Sequence, residues 1–268
     1  MKNPLQTGRS PFLFLGLVFA LGLPLWLSSQ ALGVLGTMRI PVADLALGFV
    51  PAVAAIILSA VESGRKGVGA LLRRSLDPRI QGKRWVAVTL LLAPVIYLLT
   101  IALMLSAHHP PAAGFDVLRL STLFVLFLLL AAGEEVGWTG YATAPLQARF
   151  GALGAALVIA APWWLAHLPS MREVGATGTD IAWWVLGAIG VRVLMVWLYN
   201  NAGYSTFAVI VFHALLNAGR LATYPALEAH YDPLYQAAGH VISFGLAVLV
   251  TVFWGWTTLA RPTLRLGR

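Results

Sequence analysis

The chain has 268 residues, 59% of them hydrophobic and only 10% charged, with a mean hydropathy of +0.80. A soluble domain carries roughly 45–50% apolar and about 25% charged residues, so disorder, coiled coil, collagen and an ordinary water-soluble core are excluded. Eighteen basic against ten acidic residues give a formal net charge of +8. The basic residues lie between apolar runs, as membrane flanks do, which argues against a nucleic-acid partner. With no cysteine, neither a disulfide framework nor a thiolate metal site is possible.

A helix crossing about 30 Å of hydrocarbon needs roughly 20 mostly apolar residues. Eight runs qualify: 11–29, 43–61, 85–106, 117–135, 152–168, 181–199, 204–221 and 237–259. The first follows Lys2 and Arg9 as a signal peptide would, but it is long enough to span and lacks a small-x-small cleavage site, so it is kept. Turn and charge signals separate the runs: Arg39-Ile40-Pro41, the stretch 62–85, His108-His109-Pro110-Pro111, Gly140 to Gly151, Pro169 to Asp180, Asn200 to Gly203, and Pro225 to Pro233. The 62–85 connection is rich in Arg and Lys and should hold a short amphipathic interfacial piece around Leu71-Leu72. No internal repeat or low-complexity tract is visible. The expected fold is all-α: a polytopic integral membrane protein of about eight transmembrane helices in one bundle. It divides into helices 1–3 with the basic loop (1–116), a core of helices 4–7 (117–222), and a C-terminal helix with a basic tail (223–268).

Charge sets the orientation. Thirteen basic residues fall on the side of Lys2, Arg9, the 62–85 loop, Arg149, Arg261, Arg265 and Arg268, against four (Arg39, Arg119, Arg172, Arg220) on the other. The richer side is expected to be cytoplasmic, with both termini.

An ionisable group inside a bilayer costs about 2.5–3.5 kcal/mol even on lenient scales, so each one asks for a reason. The candidates within the runs are Glu134, Glu135, His167, Arg192, His213 and His240. Adjacent helical residues point about 100° apart, so Glu134 and Glu135 serve different faces. His167, in PWWLAHLPS, shares a face with Trp163 at i−4, and His213 shares one with Asn217 at i+4. A base, two imidazoles and an amide are what a site needs to activate water and hold an oxyanion. Taken singly, a membrane histidine is more often an interhelical hydrogen-bond partner, and Asn217 could be interhelical glue. His108 and His109 read as loop residues, and His230 and His240 as structural.

Glu134-Glu135-Val136-Gly137-Trp138, Trp163 through His167, and His213 through Asn217 come in an order that resembles the CAAX prenyl protease and bacteriocin-processing (Abi) family of intramembrane proteases. Trp197-Leu198-Tyr199-Asn200 and Gly203-Tyr204-Ser205 look like the family's stretch before its last histidine motif, so the likeness covers about 120–220. The resemblance implies an intramembrane endopeptidase in which Glu134 activates water, His167 and His213 polarise the scissile group and Asn217 steadies the oxyanion. It implies as partners the bilayer and a membrane-associated or lipidated peptide, and as location a prokaryotic inner membrane crossed several times. The family is described both as metal-dependent and as metal-free. Glu134, His167 and His213 could ligate Zn²⁺ with a fourth position open, but no HExxH helix fixes such a geometry.

The family pattern Glu-Glu-x-x-x-Arg has Thr139 at its arginine position. That arginine lies at i+4 from the second glutamate, the favourable order for a helix ion pair. Arg192, in the middle of the sixth run, is the expected replacement partner for Glu135. The alternatives are a small transporter, since intramembrane Glu, His and Arg can form ion paths, and a non-proteolytic scaffold of the same family. Depth arithmetic adds a strain. At 1.5 Å per residue, Glu134 lies about 25 Å from the outer end of its helix and His167 about 22 Å from the inner end of the next. Straight helices would separate them, so a site requires tilt or a break near Gly133 or Gly140.

Overall fold

In the computed structural model, which describes residues 10–35, 40–109, 117–173, 175–222 and 233–261, Ser10 starts the first helix. Its hydroxyl accepts from the backbone of Leu13 at 3.3 Å, and Pro11 occupies the first helical position, where a missing N–H costs nothing. Helix α1 spans Pro11–Leu32; a two-residue antiparallel pair, β1 (Val34–Leu35) with β2 (Ile40–Pro41), leads to α2 (Val42–Leu47). Next come α3 (Val50–Ser75) and α4 (Lys83–Ser106), then α5 (Val117–Gly137), a π-helical turn (Trp138–Thr143) and α6 (Ala144–Glu173). Thr177 and Asp180 cap each other reciprocally at the start of α7 (Gly178–Asn201), which is followed by α8 (Thr206–Ala222) and α9 (Pro233–Trp254).

Six helical segments among the described residues are long and apolar enough to cross a membrane, and Thr206–Arg220 is a shorter apolar helix. The runs 117–135 and 152–168 belong to one segment, Val117–Glu173. Exposed Leu, Val and Phe side chains on α1, α4 and α9 are what a lipid-facing surface requires. The chain is a polytopic helical membrane protein.

Two expectations are corrected. The connection expected from Gly140 to Gly151 is helical, because the π turn carries the chain on and the reversal falls at Gly151 alone. There φ is +71°, which glycine adopts without a Cβ penalty. The basic stretch 62–85 is helical as far as Ser75, after a break at Gly64 with φ of +60°. Leu71 of that piece is buried and Leu72 partly so, as expected of an amphipathic element. His108 and His109 are exposed at the end of α4, whereas Lys2, Arg9, Arg39, His230, Arg265 and Arg268 lie outside the described residues.

One end of the bundle gathers the basic groups. Arg74 donates to the carbonyl of Gly140 at 2.6 Å, and Tyr141 donates to Glu62 at 2.5 Å. Asn200 bonds the carbonyl of Thr258 at 2.8 Å, and the N–H of Ala152 bonds that of Thr257 at 2.7 Å. These links put the basic piece after Gly64, the π turn, the Gly151 reversal and the segment after α9 at one end. At the other end Ser170 donates to Asp44, and Ser29 donates to Glu173 at 2.5 Å.

Helix α5 lies between α8 and α3, and small residues set that closeness. A Cβ on Gly133 would stand 2.5 Å from the carbonyl oxygen of Gly48, and one on Gly137 would stand 2.4 Å from that of Pro51. This is the small-xxx-small contact of membrane helices, and it flanks Glu134 on both sides. Because the obstacle is backbone, Gly137→Ala should force α5 away from α3 and cost about 1–3 kcal/mol, as overpacking does. A lower apparent Tm in detergent checks this; an unchanged Tm would show that the contact is slack.

Candidate active site

The last turn of α5 presents Glu134 and Glu135, 9% and 0% exposed, to different neighbours, as the 100° step between adjacent helical residues requires. Glu135 turns toward α7 and α8. Its Oε2 accepts from Arg192 Nη1 at 2.9 Å and from Thr139 Oγ1 at 2.5 Å, and its Oε1 meets His213 Nδ1 at 3.0 Å. Arg192 is 1% exposed, and its guanidinium lies 4.4 Å from the centroid of the Trp163 ring. The charge of Glu135 is thus matched by a guanidinium from another helix, with hydrogen bonds on both oxygens. A buried carboxylate needs that combination to stay ionised.

Glu134 turns toward α6, where its Oε2 accepts from the indole Nε1 of Trp163 at 2.6 Å. His167 sits one turn beyond Trp163, and its Nδ1 is 2.8 Å from the Trp163 carbonyl oxygen. A carbonyl only accepts, so Nδ1 carries the proton, which leaves Nε2 as the ring's second polar atom. The Trp163 ring centroid is 5.7 Å from those of both His167 and His213. Asn217, half-buried, stands one turn from His213 on the same face of α8.

Glu134, Trp163 and His167 line one small cleft, part of it open to its surroundings. Val18 and Trp26 of α1, Asp44 and Leu47 of α2, Gly48, Val50 and Pro51 of α3, Trp138 and Ala166 complete the lining. Glu134 and His167 can share it because the reversal lies at Gly151, about equally far along the chain from each. Trp163 after the reversal is thereby brought back against Glu134 before it. The depth strain came from taking the whole stretch from Gly140 to Gly151 as a non-helical connection.

The structure brings Glu134, Glu135, Thr139, Trp163, His167, Arg192 and His213 into one connected group. His240 lies apart from the cleft, edge-on to Trp184 at 5.8 Å, on a face of α7 kept open by Gly187. Asp44 was not singled out from the sequence. It stands near the start of the run 43–61, where an acidic residue reads as a flank. Two signals were available: it is the acidic residue of α2, and it stands six positions before the next helix begins.

Glu134, Glu135 and His213 present ligand atoms within 4.8 Å of one another. As donors for a divalent ion they fit poorly. Both Glu135 oxygens are engaged, one by a guanidinium whose charge would repel the ion, and His213 spends Nδ1 on the same carboxylate. His167, the third ligand expected from the sequence, is not in that group.

Residues 116–219 match a family model described as Type II CAAX prenyl endopeptidase Rce1-like. A protein named CAAX prenyl protease 2, from Methanococcus maripaludis, is 27% identical over 184 residues, which is 62% of this chain and 67% of that protein. Every site residue expected from the sequence lies within 116–219, whereas Asp44 lies outside it.

Proposed function

We propose, from the likeness of residues 116–219 to the Type II CAAX prenyl endopeptidases, that the chain is a peptide hydrolase that cleaves a membrane-associated, lipidated peptide with a water activated by Glu134. The observation that carries the reading is the cleft itself. It presents a buried carboxylate and an imidazole to one space among apolar walls.

Glu134 Oε2 is held by the Trp163 indole, which leaves Oε1 to take a proton from water in the cleft. The hydroxide adds to the scissile carbonyl. His167, fixed by its Nδ1–H, offers Nε2 to the substrate and its developing oxyanion; Asn217, expected from the sequence in that role, is not among the residues that line the cleft. As the C–N bond breaks, the proton on Glu134 passes to the leaving amine, and carboxylate and amine products depart. Glu135, Arg192, Thr139 and His213 hold α5, α7 and α8 together around the base. Neither the geometry nor the likeness favours the transport reading.

Both termini and the basic end belong to the cytoplasm in this proposal, and the protein to a prokaryotic inner membrane. The test is a farnesylated peptide ending Cys-aliphatic-aliphatic-X, incubated with purified protein in phosphatidylcholine vesicles. Mass spectrometry should find the terminal tripeptide released by wild type. Intact peptide after prolonged incubation would reject the lipidated-substrate reading.

A further inference from the structure

A row of three indoles crosses the basic end of the bundle, from α4 through α7 to α9. Trp85 meets Trp197 with ring centroids 5.2 Å apart, and Trp197 meets Trp254 at 5.4 Å, both edge to face. A guanidinium caps each end of the row. Arg84 lies 5.3 Å from the Trp85 centroid, and Arg261 lies 4.8 Å from that of Trp254. Hydrogen bonds draw the two arginines toward one place. The N–H of Gln81, shortly before Arg84, donates to the carbonyl of Ala202 at 3.2 Å. The adjacent Asn201 donates to the carbonyl of Leu259, shortly before Arg261, at 2.7 Å. A ring face holds a guanidinium without using its N–H donors. Lys83, Arg84 and Arg261 are exposed, and no carboxylate among the described residues pairs with them; Asp77, in the connection before α4, is paired with Arg79. The Nε1 donors of Trp197 and Trp254 are buried and have no acceptor among the described residues. Buried donors without acceptors are costly, and three unpaired cations beside them call for an anion rich in oxygen.

We propose that the ends of α4, α7 and α9 form a site for the headgroup of an anionic phospholipid. Arg84 and Arg261 hold the phosphate, whose oxygens match the planar guanidinium fork, and Lys83 adds charge. The ester and glycerol oxygens next to the phosphate accept from the indoles of Trp197 and Trp254. The acyl chains lie along exposed side chains of two of these helices, Val86 and Leu90 of α4 and Leu249 and Phe253 of α9. A zwitterionic lipid fits less well, because its own ammonium meets the three cations. A soluble phosphate lacks the chains that the apolar faces accept. Basic flanks are common at the ends of membrane helices, but a flank residue reaches freely into water. Here two guanidiniums are seated on rings, beside two donors that lack acceptors. None of these residues lines the cleft of Glu134, so the site does not depend on the peptidase reading.

The experiment uses the full chain, delipidated in a neutral detergent, with phosphatidylglycerol or phosphatidylcholine of the same acyl chains added. Bound lipid is counted by native mass spectrometry, and the apparent Tm is followed against lipid concentration. Wild type should bind phosphatidylglycerol about tenfold more tightly than phosphatidylcholine, with a matching rise in Tm. Arg84→Gln combined with Arg261→Gln should abolish that preference, since each arginine near an anionic headgroup contributes a factor of about five. Both positions are exposed, so these changes spare the packed interior. Arg65→Gln combined with Arg73→Gln removes the same charge from other exposed positions at this end and should keep the preference. Trp197→Phe keeps the ring and removes only the N–H, and should weaken phosphatidylglycerol binding by about two- to tenfold. Equal affinity of wild type for the two lipids overturns the site without any variant. A preference that survives loss of Arg84 and Arg261, or one that vanishes equally with Arg65 and Arg73, overturns it too. A Tm rise with inorganic phosphate alone that equals the rise with phosphatidylglycerol overturns the lipid as the ligand.

Discussion

Glu134→Gln is expected to lower kcat for peptide hydrolysis by about 10³- to 10⁴-fold while leaving the protein folded. The upper part of the range typical of general-base catalysis applies, because no other carboxylate stands in the place of Glu134. Asp44 belongs to α2 and is held by the hydroxyl of Ser170, and Glu135 is tied down by Arg192 and His213. Glutamine keeps an oxygen to accept from Trp163, so the hydrogen bond that positions the side chain survives. What it loses is the lone pair of an ionised oxygen that takes the proton from water. KM should therefore change little, and the apparent Tm should stay near wild type. Glu134→Asp keeps the charge but withdraws it by one methylene, and its activity should fall between the two. Cleavage of the farnesylated peptide in vesicles, with Tm measured on the same samples, checks all three. Glu134→Gln protein that still cleaves within threefold of wild type would remove Glu134 from the chemistry.

The parts of this fold that are legible in sequence are those that membrane physics makes expensive. A charged or strongly polar residue within an apolar run stands out, so Glu134, Glu135, His167, Arg192 and His213 are visible without a structure. The pairing of Arg192 with Glu135 follows from the same cost, since each needs the other to remain charged in the bundle. Hydropathy did not locate the turn between α5 and α6. Gly140 and Gly151 are both turn signals, and apolar periodicity runs through the π turn between them; only the positive φ at Gly151 separates the two. Asp44 was hidden for a different reason. A carboxylate near the end of an apolar run is cheap at the headgroup level, and only the fold, by packing α2 against α6, makes it part of a cleft lining.

Arg192→Ala is expected to be the most destabilising single change at the site, costing about 3–5 kcal/mol, because it strands a buried carboxylate. An apparent Tm lower by about 10 °C and a poor yield of folded protein would register it. Thr139 explains why the loss cannot be absorbed. It occupies the position at which the family pattern carries arginine, and its hydroxyl gives Glu135 one hydrogen bond at 2.5 Å but no charge. The charge comes instead from α7, so the pair ties two helices together rather than two turns of one. Arg192 also leaves Nε and Nη2 without a hydrogen-bond partner among the described residues. Its burial is thus supported by one carboxylate and the face of Trp163, and the pair should behave as a unit. Glu135→Ala should be about as damaging as Arg192→Ala, and Glu135→Gln with Arg192→Met should recover most of the stability, since neither charge is then left alone. Arg192→Lys keeps the charge but loses the planar fork and part of the stacking on Trp163, and should fall between wild type and alanine. Tm values for Glu135→Gln, Arg192→Met and the double variant that combines them close the cycle. If the two single losses simply add in the double variant, Glu135 and Arg192 are neighbours rather than partners. A strong positive coupling places the structural support of Glu134 on a helix-to-helix ion pair, moved by one element from where the family pattern has it.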